Sequence, residues 1–308
     1  MKILVIGGGG REHAIIWKIR QSPLAEKIYC APGNAGIAAL AECVDIGVHA
    51  FDRLIAFAKE KQIDFTIIGP DDPLAAGIAD AFSDAGLLVF GPKKNAAMLE
   101  ASKAFAKDLM KKYNIPTAAY EKFSDYPAAL AYIQKSAMPL VIKADGLALG
   151  KGVLICNNRA EAEKALAEMF IDKKFGASGQ TVVIEEFLTG PEVSVLAFCD
   201  GKTVVPMVSA QDHKRAFDGD KGLNTGGMGT FSPSRVYTAA IQAECMEKIF
   251  QPTVAALNSE GIVFQGIIFF GLMLTENGAR VIEYNARFGD PEAQVVLPRL
   301  ESDLVEIL

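Results

Sequence analysis

Two oxygen-bearing side chains stand one residue apart in an apolar stretch near the C-terminal end of the 308-residue sequence. Glu283 and Asn285 lie in VIEYNARFGDPE, residues 281–292, a pattern typical of a strand that runs into a charged turn. Because side chains alternate along a strand, these two should share one face while Ile282 and Tyr284 share the other. Carboxylate and amide oxygens suit a hard cation such as Mg²⁺. A metal site and a polar edge strand with one face in water both remain open.

A glycine-rich turn, GGGGREH at residues 7–13, follows the first apolar strand. It fails the dinucleotide fingerprint G-x-G-x-x-G, because Glu12 or His13 stands where the third glycine is needed. The acid expected about twenty residues further on is replaced by an APGN turn. A glycine turn at a helix N-terminus still suits one phosphate group. A tight turn without a ligand is the alternative.

A second glycine-rich stretch, ADGLALGKG at residues 144–152, follows an apolar strand that ends in Lys143. It is not a Walker A motif, because Gly152 stands where Ser or Thr would hold the metal. Its glycines and Lys151 could form a flap over a polyphosphate. A buried Lys143 would be costly unless it met an anion. An edge lysine that reaches solvent is the alternative.

Three further polar segments carry weaker signals. IEEFL, at residues 184–188, ends a strand in two acids and is followed by Glu192, an arrangement that could contact a purine and a ribose or could be a surface hairpin. DGDKG is not a calcium loop, because Gly229 stands where the bidentate acid is needed. SAQDHKR, at residues 209–215, is either functional or a solvated polar loop, and its His213 has no partner at zinc spacing.

Composition excludes several classes of protein. The net charge is −6 and no block of Lys or Arg stands out, which argues against a nucleic acid partner. The longest apolar run, GIIFFGLML, is too short to cross a bilayer. Five cysteines at irregular spacing, without a C-x-x-C pair, indicate reduced thiols. We therefore expect a cytoplasmic protein with no membrane partner.

The order of elements predicts an α/β region followed by an α+β region. Up to residue 100, short apolar strands alternate with helices, which indicates a doubly wound parallel sheet with ligands at the carboxyl ends of its strands. One helix is expected over 74–85 and another over 96–112. Later strands are longer, and the DG and NG pairs at 200–201 and 277–278 predict hairpins in a mostly antiparallel sheet. Residues 218–233 are expected to be irregular.

The sequence ends in ESDLVEIL, which predicts a helix capped by Ser302. It carries no signal for a helix C-terminus. We therefore expect the natural chain to continue beyond Leu308.

Taken in order, seven segments resemble the phosphoribosylamine–glycine ligase family, whose members are ATP-grasp ligases of purine biosynthesis. They are GGGGREH, APGNAG, SKAFAK, VIKADGLALGKGV, IEEFLTGPEVS, QDHKRAFDGDKGLNTGGMG and EYNARFGDPE. The resemblance implies a pre-ATP-grasp sheet over 1–100 and a two-lobed ATP-grasp domain. The small lobe, with a linker helix and the glycine flap, would cover 101–191, and the catalytic lobe 192–308. The family has a further C-terminal domain that this chain lacks.

The sequence departs from the family pattern at two places. Gly8 stands where the family commonly has Asn. IIFFGLML carries no acid where many ATP-grasp relatives place a metal ligand. Further ligands of a cation would therefore come from phosphate oxygens and water.

The resemblance also implies a reaction and the residues that serve it. ATP would drive the joining of glycine to 5-phosphoribosylamine through glycyl phosphate, with Mg²⁺ or Mn²⁺ as the metal. The catalytic residues would be Arg287, Lys143, Asp212 and Lys214. The contacts of ATP would be Lys103, Lys143, Gly150, Lys151, Gly152, Glu185, Glu186, Leu188 and Glu192. The contacts of the other substrates would be Gly8, Gly9, Gly10, Arg11, Glu12, Asp212, His213, Asp290 and Glu292. The metal ligands would be Glu283 and Asn285, and residues 218–233 would act as a lid.

Three other functions are weighed against this one. Another ATP-grasp carboxylate–amine ligase would differ in the acid that supports ADP release. A non-catalytic nucleotide-binding fragment would bind ATP without turnover. An NAD-dependent dehydrogenase is disfavoured by the missing third glycine and acid.

Overall fold

The computed structural model describes residues 1–147, 152–219 and 221–308, and these ranges form four sheets flanked by helices. The first sheet is parallel throughout, in the order β3-β2-β1-β4-β5. Its strands are β1 (Lys2–Gly7), β2 (Lys27–Pro32), β3 (Glu42–Cys43), β4 (Phe65–Ile68) and β5 (Val89–Phe90). Its helices are α1 (Gly10–Ile19), α2 (Phe51–Lys61), α3 (Asp71–Ala76) and α4 (Ile78–Asp84). The predicted parallel sheet is confirmed.

Each of the two long helices predicted from the sequence is divided in two. The helix expected over 74–85 breaks at Gly77, whose φ of +99° lies in a region that L side chains rarely adopt. The helix expected over 96–112 becomes α5 (Lys94–Ala101) and α6 (Lys103–Lys112). Between them Ser102 is extended, and its side-chain oxygen accepts from the Phe105 N–H as an N-cap. The break places Lys103 in the first turn of a new helix.

The next sheet is antiparallel and has the order β6-β9-β7-β8. Its strands are β6 (Tyr120–Phe123), β7 (Leu140–Ala144), β8 (Val153–Cys156) and β9 (Val182–Glu186). Helices α7 (Tyr126–Lys135) and α8 (Arg159–Phe170) share one apolar cluster with the sheet, built around Ile133, Ile142 and Leu166. Lys143 therefore belongs to an internal strand of the sheet, with β9 on one side and β8 on the other.

The largest antiparallel sheet has the order β11-β10-β14-β15, beside a separate two-stranded hairpin. The strands are β10 (Glu192–Asp200), β11 (Val204–Pro206), β12 (Gln211–Phe217), β13 (Lys221–Phe231), β14 (Gln265–Thr275) and β15 (Gly278–Asn285), with β12 and β13 forming the hairpin. Helices α9 (Ala239–Cys245) and α10 (Gln251–Ser259) are joined by a π-helical turn over Met246–Phe250. The hairpins predicted at 200–201 and 277–278 are confirmed.

The predicted irregular stretch at 218–233 is wrong for most of its length, because β13 runs from Lys221 to Phe231 and pairs with β12. Glycine weakens a strand but does not exclude one when a partner strand supplies the hydrogen bonds. The apolar segment TVVPMVSAQ, residues 203–211, predicts one long strand, but this is also wrong, since β11 ends at Pro206.

The apolar core joins the N-terminal sheet to the largest sheet. On one face of the parallel sheet, Ile3 and Val5 belong to a cluster that also contains Leu196, Phe269 and Phe288. The opposite face packs on α2 and α4 through a cluster that includes Phe82. The two regions are therefore held by a common core rather than by a linker alone.

The C-terminal segment packs against α1. It comprises α11 (Ala293–Val296) and α12 (Leu304–Ile307), and α12 is capped by Asp303, whose carboxylate accepts from the Val305 N–H. The predicted Ser302 cap is therefore wrong by one residue. Ser22 donates to Asp303 over 2.6 Å, which ties this cap to the end of α1. Within the described ranges, no helix is both long enough and apolar enough to cross a membrane.

Candidate active site

A cavity of about 570 Å³ lies between the β6–β9 sheet and the largest sheet. It is lined by many of the residues singled out from the sequence. These are Lys103, Lys143, Gly152, Glu185, Glu186, Leu188, Glu192, Asp212, Glu283, Asn285, Arg287, Asp290 and Glu292. They come from strands and turns that are far apart in the sequence. The fold therefore brings most of the predicted nucleotide, metal and catalytic residues to one place.

Lys143 is buried in the cavity wall together with a carboxylate and a second lysine. Its Nζ lies 3.0 Å from Glu185 Oε1 and donates to the Ile282 carbonyl over 2.8 Å. The other carboxylate oxygen of Glu185 lies 3.1 Å from Lys107 Nζ. An ammonium has three N–H groups, so the partners found in the described residues leave Lys143 one donor for a ligand.

Lys107, which sequence reasoning did not single out, has no such spare donor. Besides Glu185, its Nζ donates to Thr117 Oγ1 over 2.8 Å and to the Ala118 carbonyl over 3.3 Å. Burial lowers the pKa of Lys107 to about 8, against the opposing effect of the Glu185 charge. The sequence feature that could have identified Lys107 is its position four residues after Lys103 in SKAFAK, which puts both lysines on one face of α6.

Lys103 lies at the start of α6 and holds the turn that leads into the glycine flap. Its Nζ donates to the Gly146 carbonyl over 3.0 Å, and its backbone N–H donates to the Asp145 carbonyl over 3.0 Å. The Asp145 carboxylate accepts from Ser102 Oγ and from the Ala104 N–H. Burial lowers the pKa of Lys103, while the nearby Glu283 carboxylate opposes this shift.

Gly152 lines the cavity. Gly150 and Lys151, predicted to contact ATP, lie outside the described residues.

The end of β9 and the loop after it contribute both acids and apolar groups to the cavity. Glu185 is buried, whereas Glu186 is exposed and its carboxylate accepts from the Ala119 N–H over 2.8 Å. Leu188 and Glu192 line the cavity beyond them. Apolar side chains on the facing walls include Val141, Ile155, Met110, Phe269 and Met273. Such a slot is suited to a flat heteroaromatic ring.

Strand β15 presents Glu283 and Asn285 to the cavity, as their spacing predicted. The prediction that Ile282 and Tyr284 share the opposite face is only half right. Tyr284 is 4% exposed and belongs to the core, although it also borders the cavity, and a β-bulge between Val281 and Glu283 leaves Ile282 on the cavity wall. The bulge inserts one residue, so the strict period of two fails at this point.

The residue opposite Glu283 in β14 is Gly271. A Cβ at Gly271 would lie 2.8 Å from Glu283 Cγ. The missing side chain therefore makes room for the glutamate next to the bulge.

Arg287 follows β15 and forms an ion pair with an acid that sequence reasoning missed. Its Nη2 lies 2.9 Å from Glu100 Oε1, at the end of α5. Burial lowers the pKa of Arg287, but Glu100 and the acids around it outweigh this effect and raise it. No local pattern marks Glu100, because its partners are distant in the sequence.

The two acids that follow Arg287 differ in exposure. Glu292 is 4% exposed, and its carboxylate accepts from Ser194 Oγ over 3.2 Å. Asp290 is exposed and accepts from Gln294 Nε2 over 2.6 Å. Both line the cavity together with Asp71, the first residue of α3, which was not predicted.

The glycine turn of the N-terminal sheet, residues 7–10, adjoins the cavity without lining it. Arg11 donates to the Phe288 carbonyl over 3.3 Å. A Cβ on Gly9 would lie 3.6 Å from Asp290 Oδ2, so the turn is next to the acidic segment. Glu12 is buried, accepts from the Gly9 N–H over 2.6 Å and pairs with Arg11 at 2.7 Å. Gly8 is held through its carbonyl by Asn34.

The hairpin carries the remaining predicted residues. Asp212 and Thr225 line the cavity. The ring of His213 lies 5.7 Å from that of Phe231 and is not among the groups that line the cavity. The side chain of Lys214 lies outside the described part of the structure.

Comparison with known families gives two matches that together cover residues 1–293. Residues 1–100 match the family described as "Phosphoribosylglycinamide synthetase, N domain". Residues 101–293 match "Phosphoribosylglycinamide synthetase, ATP-grasp (A) domain".

Curated relatives are similar over the whole chain. The chain is 54% identical to the phosphoribosylamine–glycine ligase of Halalkalibacterium halodurans and 53% identical to that of Brucella melitensis, in both cases over 308 residues. These matches cover 100% of the chain and 72% of each relative.

Solved structures share the fold. The phosphoribosylamine–glycine ligase of Thermotoga maritima superposes with a TM-score of 0.83 at 34% identity, over 97% of this chain and 72% of that one. The biotin carboxylase domain of the Hydrogenobacter thermophilus 2-oxoglutarate carboxylase, solved with MgADP and bicarbonate, gives a TM-score of 0.74 at 19% identity. That match covers 99% of this chain and 68% of that one, and at this identity it shows the fold alone.

Proposed function

The chain belongs to the phosphoribosylglycinamide synthetase family, and from this membership we propose that it is an ATP-grasp ligase that joins glycine to 5-phosphoribosylamine. The products are glycinamide ribonucleotide, ADP and phosphate, in the biosynthesis of purines. The observation that carries the proposal is the single cavity in which two buried lysines, the Glu283–Asn285 pair and Arg287 meet.

The reaction proceeds in two steps. The glycine carboxylate attacks the γ-phosphorus of ATP and ADP leaves, which gives glycyl phosphate. The amine of phosphoribosylamine then attacks the carbonyl, phosphate leaves, and the amine gives up a proton as the amide forms. Such phosphoryl transfer depends on positioning and on neutralisation of charge more than on a nucleophilic side chain.

The nucleotide lies in the cavity between the two sheets. The spare N–H of Lys143 and the ammonium of Lys103 contact its phosphates, and Gly150, Lys151 and Gly152 cover them. Glu185, Glu186 and Leu188 line the adenine, and Glu192 accepts from the ribose hydroxyls. The support is the convergence of these groups on the cavity and the depressed pKa of Lys103, which burial produces and a phosphate would relieve.

A divalent cation, Mg²⁺ or Mn²⁺, is held by Glu283 and Asn285. These residues fit a hard cation because both present oxygen to the cavity from one rigid strand. Among the described residues, no group of three or more His, Cys, Asp or Glu could hold a metal. The remaining ligands would be phosphate oxygens and water, an arrangement typical of Mg²⁺. When bound, the cation neutralises charge on the phosphates.

Glycine and the acyl phosphate lie next to Arg287. A guanidinium can hold a carboxylate by two parallel bonds and balances the negative charge of the phosphate. Asp290 and Glu292 receive an ammonium group. Asp212, His213 and Lys214, on the hairpin, face the ribosylamine.

The phosphate of phosphoribosylamine binds the glycine turn formed by Gly8, Gly9 and Gly10, with Arg11 and Glu12 beside it. The turn opens α1, whose N-terminal N–H groups favour an anion. Because Arg11 and Gly9 adjoin the segment from Phe288 to Asp290, the sugar phosphate would lie within reach of the acyl phosphate.

Water must be kept from glycyl phosphate, and residues 218–233 act as a lid. Gly227 supports this role, since a Cβ there would lie 2.6 Å from Pro291 Cδ. This part of the hairpin is thus seated directly on the turn that carries the acids.

The same proposal divides the chain into three domains and assigns it to the cytoplasm. The regions are 1–100, 101–191 and 192–308, supported by the separate sheets that these ranges form. A cytoplasmic setting is supported by the five cysteines, all of which are free.

A coupled assay of ADP release tests the proposal. Amino acids and other small acids are scanned with and without phosphoribosylamine, at saturating MgATP. ADP release that requires glycine and phosphoribosylamine together, with one glycinamide ribonucleotide formed per ADP, supports it. Release supported by a different acid would make the chain another carboxylate–amine ligase. ATP binding without turnover would make it a nucleotide-binding protein only.

A further inference from the structure

The guanidinium of Arg287 is buried between two groups that fix its plane. Nη2 lies 2.9 Å from Glu100 Oε1, and Nη1 donates to the Phe288 carbonyl over 3.3 Å. The side chains of Arg287 and Glu100 are 15% and 8% exposed. A buried ion pair of this kind has little freedom to rotate, because both partners would lose a charged hydrogen bond.

The two carboxylate oxygens of Glu100 contact two neighbouring residues, Ala286 and Arg287. Oε1 faces the guanidinium of Arg287, and Oε2 accepts from the Ala286 N–H over 2.7 Å. The carboxylate therefore fixes the backbone just before Arg287 as well as its side chain. Glu100 is in the last turn of α5, the helix that follows the N-terminal sheet. Glu100 lines the cavity, and each of its two oxygens already has a partner within the protein.

The remaining hydrogen-bonding groups of Arg287 are the ones available to a ligand. A guanidinium has five N–H groups, and Glu100 and Phe288 engage one of them on each terminal nitrogen. Nε is buried and has no partner among the described residues. A buried N–H without a partner is unfavourable, and Arg287 lines the cavity. A carboxylate that enters the cavity could accept from the terminal N–H groups that remain.

We propose that Glu100 is a positioning residue for the acid substrate: it holds the guanidinium of Arg287 so that its free terminal N–H groups face the carboxylate of glycine. The inference rests on the proposed function, in which Arg287 receives that carboxylate. Glu100 does not touch ATP or glycine. Its effect is transmitted through the orientation of Arg287 and should be specific to the acid substrate.

The test is Glu100→Gln, which keeps the size of the side chain and removes its charge. Steady-state kcat/KM is measured separately for glycine and for ATP, together with the Tm. We expect a loss of about 10-fold in kcat/KM for glycine, the size of one charge-assisted hydrogen bond, and less than about 2-fold for ATP. Phe82→Leu is the control for lost stability, because Phe82 is fully buried under the N-terminal sheet and does not line the cavity. It should lower the Tm and leave both kcat/KM values nearly unchanged.

A double-mutant cycle with Arg287→Lys shows whether Glu100 acts through Arg287. In the Arg287→Lys background, Glu100→Gln should cause less than about 2-fold further loss for glycine, because the oriented guanidinium is already gone. A full additional loss, or an equal loss for glycine and ATP in the single variant, would overturn the proposal. If Glu100→Gln does not fold, Glu100→Asp is held to the same criteria. Failure of the proposed function is seen separately, as wild-type protein whose ADP release does not depend on glycine.

Discussion

Glu185 shows how buried charge is arranged at the scale of single residues. Its carboxylate lies between two lysines, of which Lys107 spends every donor inside the protein and Lys143 retains one. Both lysines line the cavity, but Lys107 has an acceptor for each of its three N–H groups among the described residues, whereas Lys143 does not. Lys107 therefore stabilises the carboxylate, and Lys143 is the lysine that could also bind a ligand.

Removing the charged metal ligand should stop turnover while the fold persists. In Glu283→Ala we expect no ADP release at Mg²⁺ concentrations that saturate the wild type, because one amide oxygen from Asn285 cannot replace a carboxylate on a hard cation. Glu283 is partly exposed, so the Tm should change little. The assay is ADP release over a Mg²⁺ titration, with the Tm measured on the same sample. Wild-type turnover in the variant would remove Glu283 from the metal site.

Replacing Arg287 by lysine should affect glycine far more than ATP. The substitution keeps the charge but loses the planar fork, and we expect about a 10- to 150-fold loss of kcat/KM for glycine, equivalent to about 1.5–3 kcal/mol. The competing explanation is that Arg287 only braces the chain through Glu100. In that case the Tm should fall and both substrates should lose equally. Kinetics for both substrates and the Tm of one preparation separate these outcomes.

Lys107 should make stability depend on pH in the alkaline range. Its pKa is about 8 in the folded protein, against 10.5 for a lysine in the unfolded chain. Between these values the unfolded chain binds more protons, so the contribution of Lys107 to the unfolding free energy rises with pH. Below about pH 8 both states are protonated, and the contribution is constant.

Lys107→Met should remove this pH dependence. Urea unfolding at about pH 8 and about pH 10 is expected to show a wild-type-minus-variant difference that grows with pH. At neutral pH the variant should lose less than about 3 kcal/mol, because Glu185 keeps Lys143 as a partner. The matched control is Lys112→Met. Lys112 is an exposed lysine of the same helix, and because its pKa is raised, its contribution to the unfolding free energy does not rise between about pH 8 and about pH 10. A difference that shrinks with pH would contradict the assignment.

At the scale of elements, the hairpin β12–β13 is positioned by its contact with the turn after β15. Gly227 has a φ of +136°, and a Cβ on it would lie 2.6 Å from Pro291 Cδ. The close approach therefore requires glycine for both conformation and space. Gly229, two residues further along β13, has no described atom within 4 Å of its Cβ position.

Gly227→Ala should uncouple ADP release from ligation. The added methyl group would push the hairpin away from Pro291, and water would then reach glycyl phosphate. We expect more ADP than glycinamide ribonucleotide, whereas the matched control Gly229→Ala should keep the ratio near one because its methyl group meets open space. The two products are quantified in the same reaction. An unchanged ratio in Gly227→Ala would mean that the hairpin does not exclude water.

At the scale of the whole molecule, the cavity lies where separately folded layers meet. The β6–β9 sheet provides Lys143 and Glu185, the largest sheet provides Glu283, and α5 and α6 provide Glu100 and Lys103. A ligand that fills the cavity would contact several of these elements at once. Its binding should therefore stabilise the entire described structure and not one layer alone.

MgATP should raise the Tm of the wild type. At a concentration about 100 times Kd, binding adds about 2.7 kcal/mol to the unfolding free energy, which raises the Tm by about 4 °C for a chain of this size. Chelation of the metal should abolish most of the shift, and Glu283→Ala should show little of it. Thermal unfolding with ATP, with MgATP and with MgATP plus chelator provides the measurement. The absence of any shift at saturating MgATP would contradict nucleotide binding in this cavity.

The sequence by itself determined those features whose cause is local. The parallel sheet follows from short apolar strands alternating with helices, and the two antiparallel hairpins follow from the DG and NG pairs. The common face of Glu283 and Asn285 follows from the period of a strand. In each case the residues that decide the outcome lie within a few positions of one another.

Only the tertiary structure decided which distant groups meet. Glu100 holds the Ala286 N–H across 186 positions, and no local pattern connects them. The partnership of Lys107 with Glu185 likewise exists only when α6 packs against β9. The bulge that turns Ile282 to the cavity depends on pairing with β14, and the glycine-rich segment becomes a strand because β12 supplies its partner. Hydrogen bonds and ion pairs between remote segments form only after the core has brought them together, so their partners cannot be read from spacing along one chain.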